Sequence, residues 1–432
     1  MKIFISDLHL LSEEWVRQGY RSITEEDVQS LWDDIKDKVV TVNENGKPIK
    51  KKVEDAKCSI ELVILGDFID VIRDPTWLWS LKRKVLQKSL KEEFKNDDWK
   101  EVVKEIVDLN LKVHEKFFNK LRALFGDSAA NRNITYIMGN HDRLINFVPE
   151  ACRNIRKSLG HDPKDVSPFE GEKSWPELGI YAEHGHKGDT DNYITGCEID
   201  HTKIPLGDRI VLLLINGFPI QVSKPDIMVT IKSKGYRMLP DYLGEFMAEL
   251  DNLRPTTLAP EWMGYARQRF RSERYKEIET AWKKQHKELK ENVPWWKFSE
   301  RGKVDALRIV TTKPKLAKIA KKIYKFTDST FSRTLKLSQE KDYRFFICGH
   351  THEPCIKLLD ERKYRRRYYL NTGTWRHRII MSSAPNVEIS FAPIRTFNYL
   401  LFYEENERPM DASEMDKRFE LCDISSELGE FI

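Results

Sequence analysis

The chain has 432 residues, 40% of them hydrophobic and 33% charged, which argues against a disordered polymer and leaves ample length for a buried core. Lys plus Arg number 73 and Asp plus Glu 68, so the net charge of +5 does not mark a dedicated nucleic-acid binder. Six scattered cysteines without a CxxC pair argue against a disulfide scaffold or zinc ribbon, and the longest apolar run, 210–215, is far too short to span a bilayer.

In chain order, short apolar runs read as buried strands at 2–6, 61–65, 134–138, 180–182 and 345–348. Between the first two, 12–38 reads as helix with Ser12 as N-cap, and 39–53 as a hairpin turning at Asn45-Gly46. Residues 76–125 carry apolar positions at helical spacing, such as Leu109, Val113, Phe117 and Leu121, and predict two helices. The stretch 190–340 is richer in Lys and Arg and reads mostly helical, around 206–217, 240–250, 261–290 and 313–325, with breaks at Pro294-Trp295-Trp296 and Pro314. Beyond it, 355–361 and 366–371 alternate as a hairpin, 387–391 and 397–403 as two more strands, and 411–432 reads as a surface helix with a frayed end. The start, Met-Lys-Ile-Phe-Ile-Ser-Asp, lacks the apolar length of a signal peptide, so a cytoplasmic protein without a membrane span is expected.

Each of the five strands ends in a cluster of Asp, Asn, Gly and His: Asp7-Leu8-His9, Gly66-Asp67, Gly139-Asn140-His141-Asp142, His184-Gly185-His186 and Gly349-His350-Thr351-His352. Strand ends in α/β folds are where a rigid sheet aims reactive groups. Mixed imidazole and carboxylate ligands without thiolates suit a divalent ion, with Mn the first choice and Fe, Ni, Co, Zn or Mg as alternatives. Alternation at i and i+2 would let Asp7 and His9 face one ion together, and His350 and His352 likewise.

The ordered set resembles the calcineurin-like metallophosphoesterases, whose signature runs D-x-H, G-D, G-N-H-[D/E], a later His in a G-H or H-G pair, and G-H-x-H. Ser6-Asp7-Leu8-His9-Leu10, Gly66-Asp67-Phe68-Ile69-Asp70 and His184-Gly185 look most like the branch containing UDP-diacylglucosamine pyrophosphohydrolases, which are considerably shorter, so their lipid substrate is not carried over. The resemblance covers mainly residues 1–10, 60–72, 134–143, 179–186 and 343–375.

It implies an α/β fold, a four-layer α/β/β/α sandwich with a largely helical inserted subdomain. Residues 1–190 would form the first part of the core, with insertions at about 11–57 and 75–128. Residues 191–340 would form the insert, a cap that selects substrate, and 341–432 the rest of the core and a tail. Asp7, His9, Asp67 and His352 would hold one metal ion and Asp67, Asn140, His184 and His350 the other, with Asp67 bridging. The implied reaction is cleavage of a phosphodiester or pyrophosphate bond in a small or nucleotide-like substrate by metal-activated hydroxide. His141 would donate to the phosphate or protonate the leaving oxygen, oriented by Asp7 or Asp142. His186 and Arg376 are candidate substrate contacts, Asp70 a carboxylate supporting the ligands, and 371–375 a supporting turn. His114, His161, His201, His286 and His377 read as ordinary polar residues. Two basic clusters with interleaved aromatics, 267–271 and 363–367, keep nucleic acid as an alternative partner and a nuclease as the alternative activity. An inert binding scaffold is the reading from another class, and it would be expected to have lost a ligand.

Overall fold

The structure is a computed structural model of the chain. It describes residues 1–11, 23–36, 38, 40–42, 48–50, 60–78, 80–125, 133–215, 272–293, 297, 299–305, 326–362, 365–381, 391–404, 407 and 418–424. Two five-stranded mixed sheets organise it. The first comprises β1 (Lys2–Ile5), β4 (Glu61–Leu65), β5 (Ile134–Ile137), β13 (Asn398–Phe402) and β14 (Phe419–Asp423), in the order β14-β13-β1-β4-β5. β1, β4 and β5 run parallel, and β13 and β14 are antiparallel additions. The second comprises β6 (Glu172–Trp175), β7 (Ile180–Glu183), β8 (Phe345–Cys348), β9 (Cys355–Arg362) and β10 (Arg365–Asn371), in the order β6-β7-β8-β10-β9. Here β7, β8 and β10 are parallel, with antiparallel edges. Separate two-stranded ribbons are formed by β2 (Val40–Val42) with β3 (Pro48–Lys50), and by β11 (His377–Met381) with β12 (Phe391–Arg395).

The central strands are near-continuous apolar runs because both their faces are covered. Phe4, Val63, Leu65, Ile137, Leu400 and Phe402 of the first sheet meet Ile180, Ala182, Phe345, Ile347, Tyr368 and Leu370 of the second in one buried cluster. The alternate residues Ile3, Ile5, Leu62, Ile64, Tyr399 and Leu401 face helices. These are α1 (Glu25–Lys36), α3 (Asp98–Val113), α4 (Glu115–Phe125) and α5 (Pro149–Ser158), with α2 (Ser80–Lys91) packed on α3. α1 begins with Asp27 reaching back to the Thr24 N–H at 2.8 Å, and it buries Val28, Leu31, Trp32 and Ile35 at helical spacing. On the far face of the second sheet lies α7 (Phe326–Glu340), where Phe331 meets Tyr369 edge-on at 5.6 Å and Thr334 reaches Cys348. Another helix, α6 (Ser272–Asn292), packs against the helical segment Ile210–Ile215.

Several expectations change. Residues 76–125 hold three helices rather than two, because Glu93 and Phe94 turn into left-handed conformation after α2 and His114 breaks the chain between α3 and α4. The tail is not simply a helix: Phe419–Asp423 adds a strand to β13, whose exposed hydrogen-bonding edge accepts it. Phe391–Arg395 forms a strand paired with β11, which the sequence reading omitted; of the strand expected at 387–391 only Phe391 is among the described residues. The last part of the expected insert, α7, packs on the sheet. The Asn45-Gly46 turn, the helices expected at 240–250 and 313–325, the breaks at 294–296 and 314, and the basic cluster 267–271 lie outside the described residues, as do 387–390. Among the described residues no helix is long and apolar enough to cross a membrane.

Candidate metal centre

The five motifs follow the carboxyl ends of β1, β4, β5, β7 and β8, all parallel strands, so the two sheets bring them to one place. Backbone bonds sew the loops together: Asp7 N–H to the Gly66 carbonyl at 3.2 Å, His9 N–H to the Asp67 carbonyl at 2.7 Å and Gly349 N–H to the His184 carbonyl at 2.9 Å. Residues 371–375 brace the same seam. Asn371 Nδ2 donates to the Gly349 carbonyl, Ser6 Oγ bonds Thr372 Oγ1, and Thr374 Oγ1 donates to the Asp7 carbonyl.

Asp7, His9, Asp67, His350 and His352 all have positive φ, between 47° and 67°. For a non-glycine residue this conformation costs about 1–2 kcal/mol, and it persists only where the surroundings over-determine it. With left-handed backbone, strand alternation does not decide which residues share a side: Asp7 and His9 stay together as expected, but His350 and His352 do not. The two rings separate: His352 joins Asp7 and His9, while His350 joins Asp67 and His184. A third group, His9, Asp67 and His141, overlaps both, and in each group the potential ligand atoms lie within 4.8 Å of one another. All of these residues are buried.

Glycines make the close approach feasible. A Cβ on Gly139 would lie on the Asp67 carboxylate and 2.5 Å from the Asp67 backbone N, and one on Gly349 would lie 2.6 Å from Asp7 Oδ2. Gly66, at φ 77°, has no room either, 2.7 Å from His184 Nδ1.

Each of four histidines has one ring nitrogen held by an oxygen acceptor. His184 Nδ1 donates to the Leu65 carbonyl at 2.6 Å, leaving Nε2 3.3 Å from Asp67 Oδ2 and 3.2 Å from Asn140 Oδ1. His9 and His141 present Nδ1 to the two oxygens of Asp70, at 2.9 and 2.7 Å. His350 Nε2 lies 3.3 Å from Asp189 Oδ2. An imidazole tied in this way offers its other nitrogen in a defined tautomer and direction. Asp7 Oδ1, Asp67 Oδ2, Asn140 Nδ2 and His350 Nδ1 are buried without a hydrogen-bond partner. Buried polar atoms are almost always satisfied, and the carboxylate oxygens and ring nitrogen among these are atoms that could ligate a cation.

The electrostatics agree. Burial alone would raise the Asp7 and Asp67 carboxyls, but neighbouring histidines, His352 and His184 for Asp7 and His184 and His141 for Asp67, hold both below the ordinary carboxylate range. Burial likewise disfavours a charge on His184, yet Asp67 and Asp7 raise its ring to about 10. Fixed anionic oxygens thus face inward and favour positive charge. A coordinating imidazole is neutral, so that proton is the one a metal would displace.

Other expected site residues fall differently. The carboxylate that orients His141 is Asp70, not Asp7 or Asp142. Asp142 accepts N–H bonds from Phe68 at 3.0 Å and Gly139 at 2.7 Å and takes the Tyr136 hydroxyl, so its oxygens are consumed in shaping the loop. Burial and the Asp67 charge push its carboxyl up to about 7. Asp142, expected in the catalytic pair as a carboxylate that orients His141, is instead a loop-forming group. Arg376, expected as a substrate contact, donates Nε to the Leu8 carbonyl at 2.9 Å and Nη2 to the His9 carbonyl, clamping the first motif. His186 is 2% exposed, with neither ring nitrogen hydrogen-bonded, and its ring lies 5.5 Å from that of His184. Burial first, then the His184 and His350 charges, hold it well below the usual imidazole range, so it is neutral. In the basic cluster 363–367, Arg367 is buried and donates to the Ser338 carbonyl and Asp342. His114, read as ordinary, bonds the Leu11 carbonyl through Nε2 at 3.0 Å. Asp189 escaped the sequence reading altogether; its only signal was its place five residues after His184.

A scan against models of known protein families matches none, and a search of curated proteins finds no relative of this chain.

Proposed function

We propose that the chain is a dinuclear-metal-dependent phosphoesterase of the calcineurin-like type, cleaving a phosphodiester or pyrophosphate bond in a small or nucleotide-like substrate. The observation that carries this reading is the pair of buried groups, Asp7-His9-His352 and Asp67-His184-His350, converging at the carboxyl ends of facing sheets. The succession of helices, two packed sheets and α7 supports the four-layer α/β/β/α sandwich expected for that family. Asp7, His9, Asp67 and His352 would hold one ion, and Asp67, Asn140, His184 and His350 the other, with Mn the favoured metal.

Two divalent ions there would supply Lewis-acid charge to a phosphate ester and acidify the attacking water. The chain's residues do the rest. Asp67, with one oxygen accepting the His141 N–H at 2.9 Å and the other turned toward His184, is fixed between the two groups. Asp70 accepts the His141 Nδ1–H, so Nε2 is the free ring atom, and in the protonated ring it is the atom that donates to a phosphate oxygen or gives a proton to the leaving oxygen. The αL turns and glycine contacts keep this constellation from relaxing. No ligand position is lost, which speaks for chemistry over an inert scaffold.

The test is hydrolysis of bis-p-nitrophenyl phosphate by metal-stripped protein resupplied with Mn, beside Asp67→Asn. Turnover of the diester is expected, falling in the variant by on the order of 10³-fold or more, because one substitution disturbs both ion sites. Equal activity in the two proteins, or none in either despite bound Mn, would sink the proposal. A single-stranded oligonucleotide in the same assay decides between a small substrate and a nuclease.

A further inference from the structure

Asp189 lies outside every motif, yet it contacts a histidine of the candidate centre. Its side chain is buried, and its Oδ2 lies 3.3 Å from His350 Nε2. It is itself held in place: Asn192 Nδ2 donates to Oδ2 at 2.6 Å, the Asp191 N–H donates to Oδ1 at 2.9 Å, and the Asp189 N–H donates to the His186 carbonyl at 2.9 Å. The next links lead outward. The Asp191 carbonyl accepts the Gly207 N–H at 2.6 Å, and the Asp191 carboxylate pairs with Lys303. Gly207 approaches so closely that a Cβ there would lie 3.0 Å from Asn192 Cγ.

We infer that Asp189 is a positioning residue for the second ion site, fixing His350 so that its Nδ1 carries the lone pair toward Asp67 and His184. The chemistry follows from donor and acceptor roles. A carboxylate only accepts, so it selects the tautomer of His350 with hydrogen on Nε2. That leaves Nδ1, buried and without a hydrogen-bond partner, as the coordinating atom. Asp189 thereby does for His350 what Asp70 does for His9 and the Leu65 carbonyl for His184. Unlike those, it is supplied by a segment anchored on residues 207 and 303, within the stretch that separates the two halves of the core. The inference rests on the metal reading above.

The experiment is a calorimetric titration of metal-stripped full-length protein with Mn, with bound metal counted by elemental analysis, for wild type, Asp189→Ala and Asp189→Asn. Wild type is expected to take two ions. Asp189→Ala should keep one ion at wild-type affinity and bind the other about 10- to 100-fold more weakly, the usual cost of removing a group behind a ligating histidine. Loss confined to one of two ions is not what general destabilisation would give. Should the alanine variant fail to fold by circular dichroism, the asparagine variant decides, since it keeps the side-chain volume but loses the negative charge that makes the His350 ring a stronger ligand, so weakening of one ion, smaller than in the alanine variant, is again expected. Two ions bound with wild-type affinity in a folded variant would overturn the inference while leaving the proposed function standing. Wild type that binds no Mn would overturn both.

Discussion

The two sheets contribute unlike halves to the centre. The first supplies the acids Asp7, Asp67 and Asp70, with His9, Asn140 and His141; the second supplies the histidines His184, His350 and His352, with Asp189 behind His350. Neither half is comfortable alone. Buried carboxylates without counter-charge cost several kcal/mol each, and buried imidazoles facing no acceptor are little better. Juxtaposed, they hold each other's protonation states, and a metal can replace the shared protons. The acidic sheet is also the one wrapped by four helices, while α7 covers the histidine sheet. The lesson is that the centre is a property of the seam, so its stability follows the contacts between sheets more than the strength of either.

The hardest way to break that seam is Gly139→Ala. The added methyl meets the Asp67 carboxylate and backbone, so we expect a loss of about 3 kcal/mol or more in urea unfolding and loss of both ions by elemental analysis. Gly302→Ala, with no atom within 4 Å of the new Cβ, should change neither. Equal behaviour of the two variants would contradict the close packing described for the first sheet's loops.

A second contrast is pH. Burial holds the His114 ring down to about 4 against an ordinary 6.5, despite its bond to the Leu11 carbonyl. Between those values the unfolded chain binds a proton that the folded chain refuses, so stability present above 6.5 is lost as pH falls toward 4. At about pH 5 the loss is about 2 kcal/mol. Urea unfolding of metal-stripped wild type and His114→Gln at about pH 7 and pH 5 should show the variant losing less stability on acidification. Parallel losses would mean that His114 does not carry the effect.

The smallest effect is expected at the opposite end of the seam. There Glu61 accepts from Lys2 at 2.7 Å, Thr135 at 2.7 Å, Lys173 at 3.1 Å and the Trp175 indole at 3.2 Å, joining the first sheet to β6. Glu61→Gln should cost about 1 kcal/mol and leave Mn binding intact, because a partly exposed network is screened and lies far from the loops. A change in metal stoichiometry would show that the two ends of the seam are coupled.

The strands and the loops that follow them were legible in the sequence because the signal is local: a short apolar run, then a short polar ligand, repeated five times, with a glycine directly before the ligand in three of them. The same local signal placed Asp7, His9, Asp67, Asn140, His141, His184, His350 and His352 together. The tail was misread because Phe419–Asp423 is only half-buried and has no strand pattern of its own; it becomes a strand only because β13 offers an edge. What the histidines do was decided in three dimensions. His350 and His352, two residues apart, part company, whereas Asp7 and His9 at the same spacing stay together, although all four backbones are left-handed, so the grouping is set by the packing of the loops rather than by spacing or residue type. Asp70 serves His9 and His141 across 61 and 71 residues, and Asp189 serves His350 across 161. Composition and spacing determine which groups this chain can offer a metal, but the tautomer and aim of His9, His141, His184 and His350 each depend on an oxygen brought from far along the chain, and only the folded sheets determine which oxygen that is.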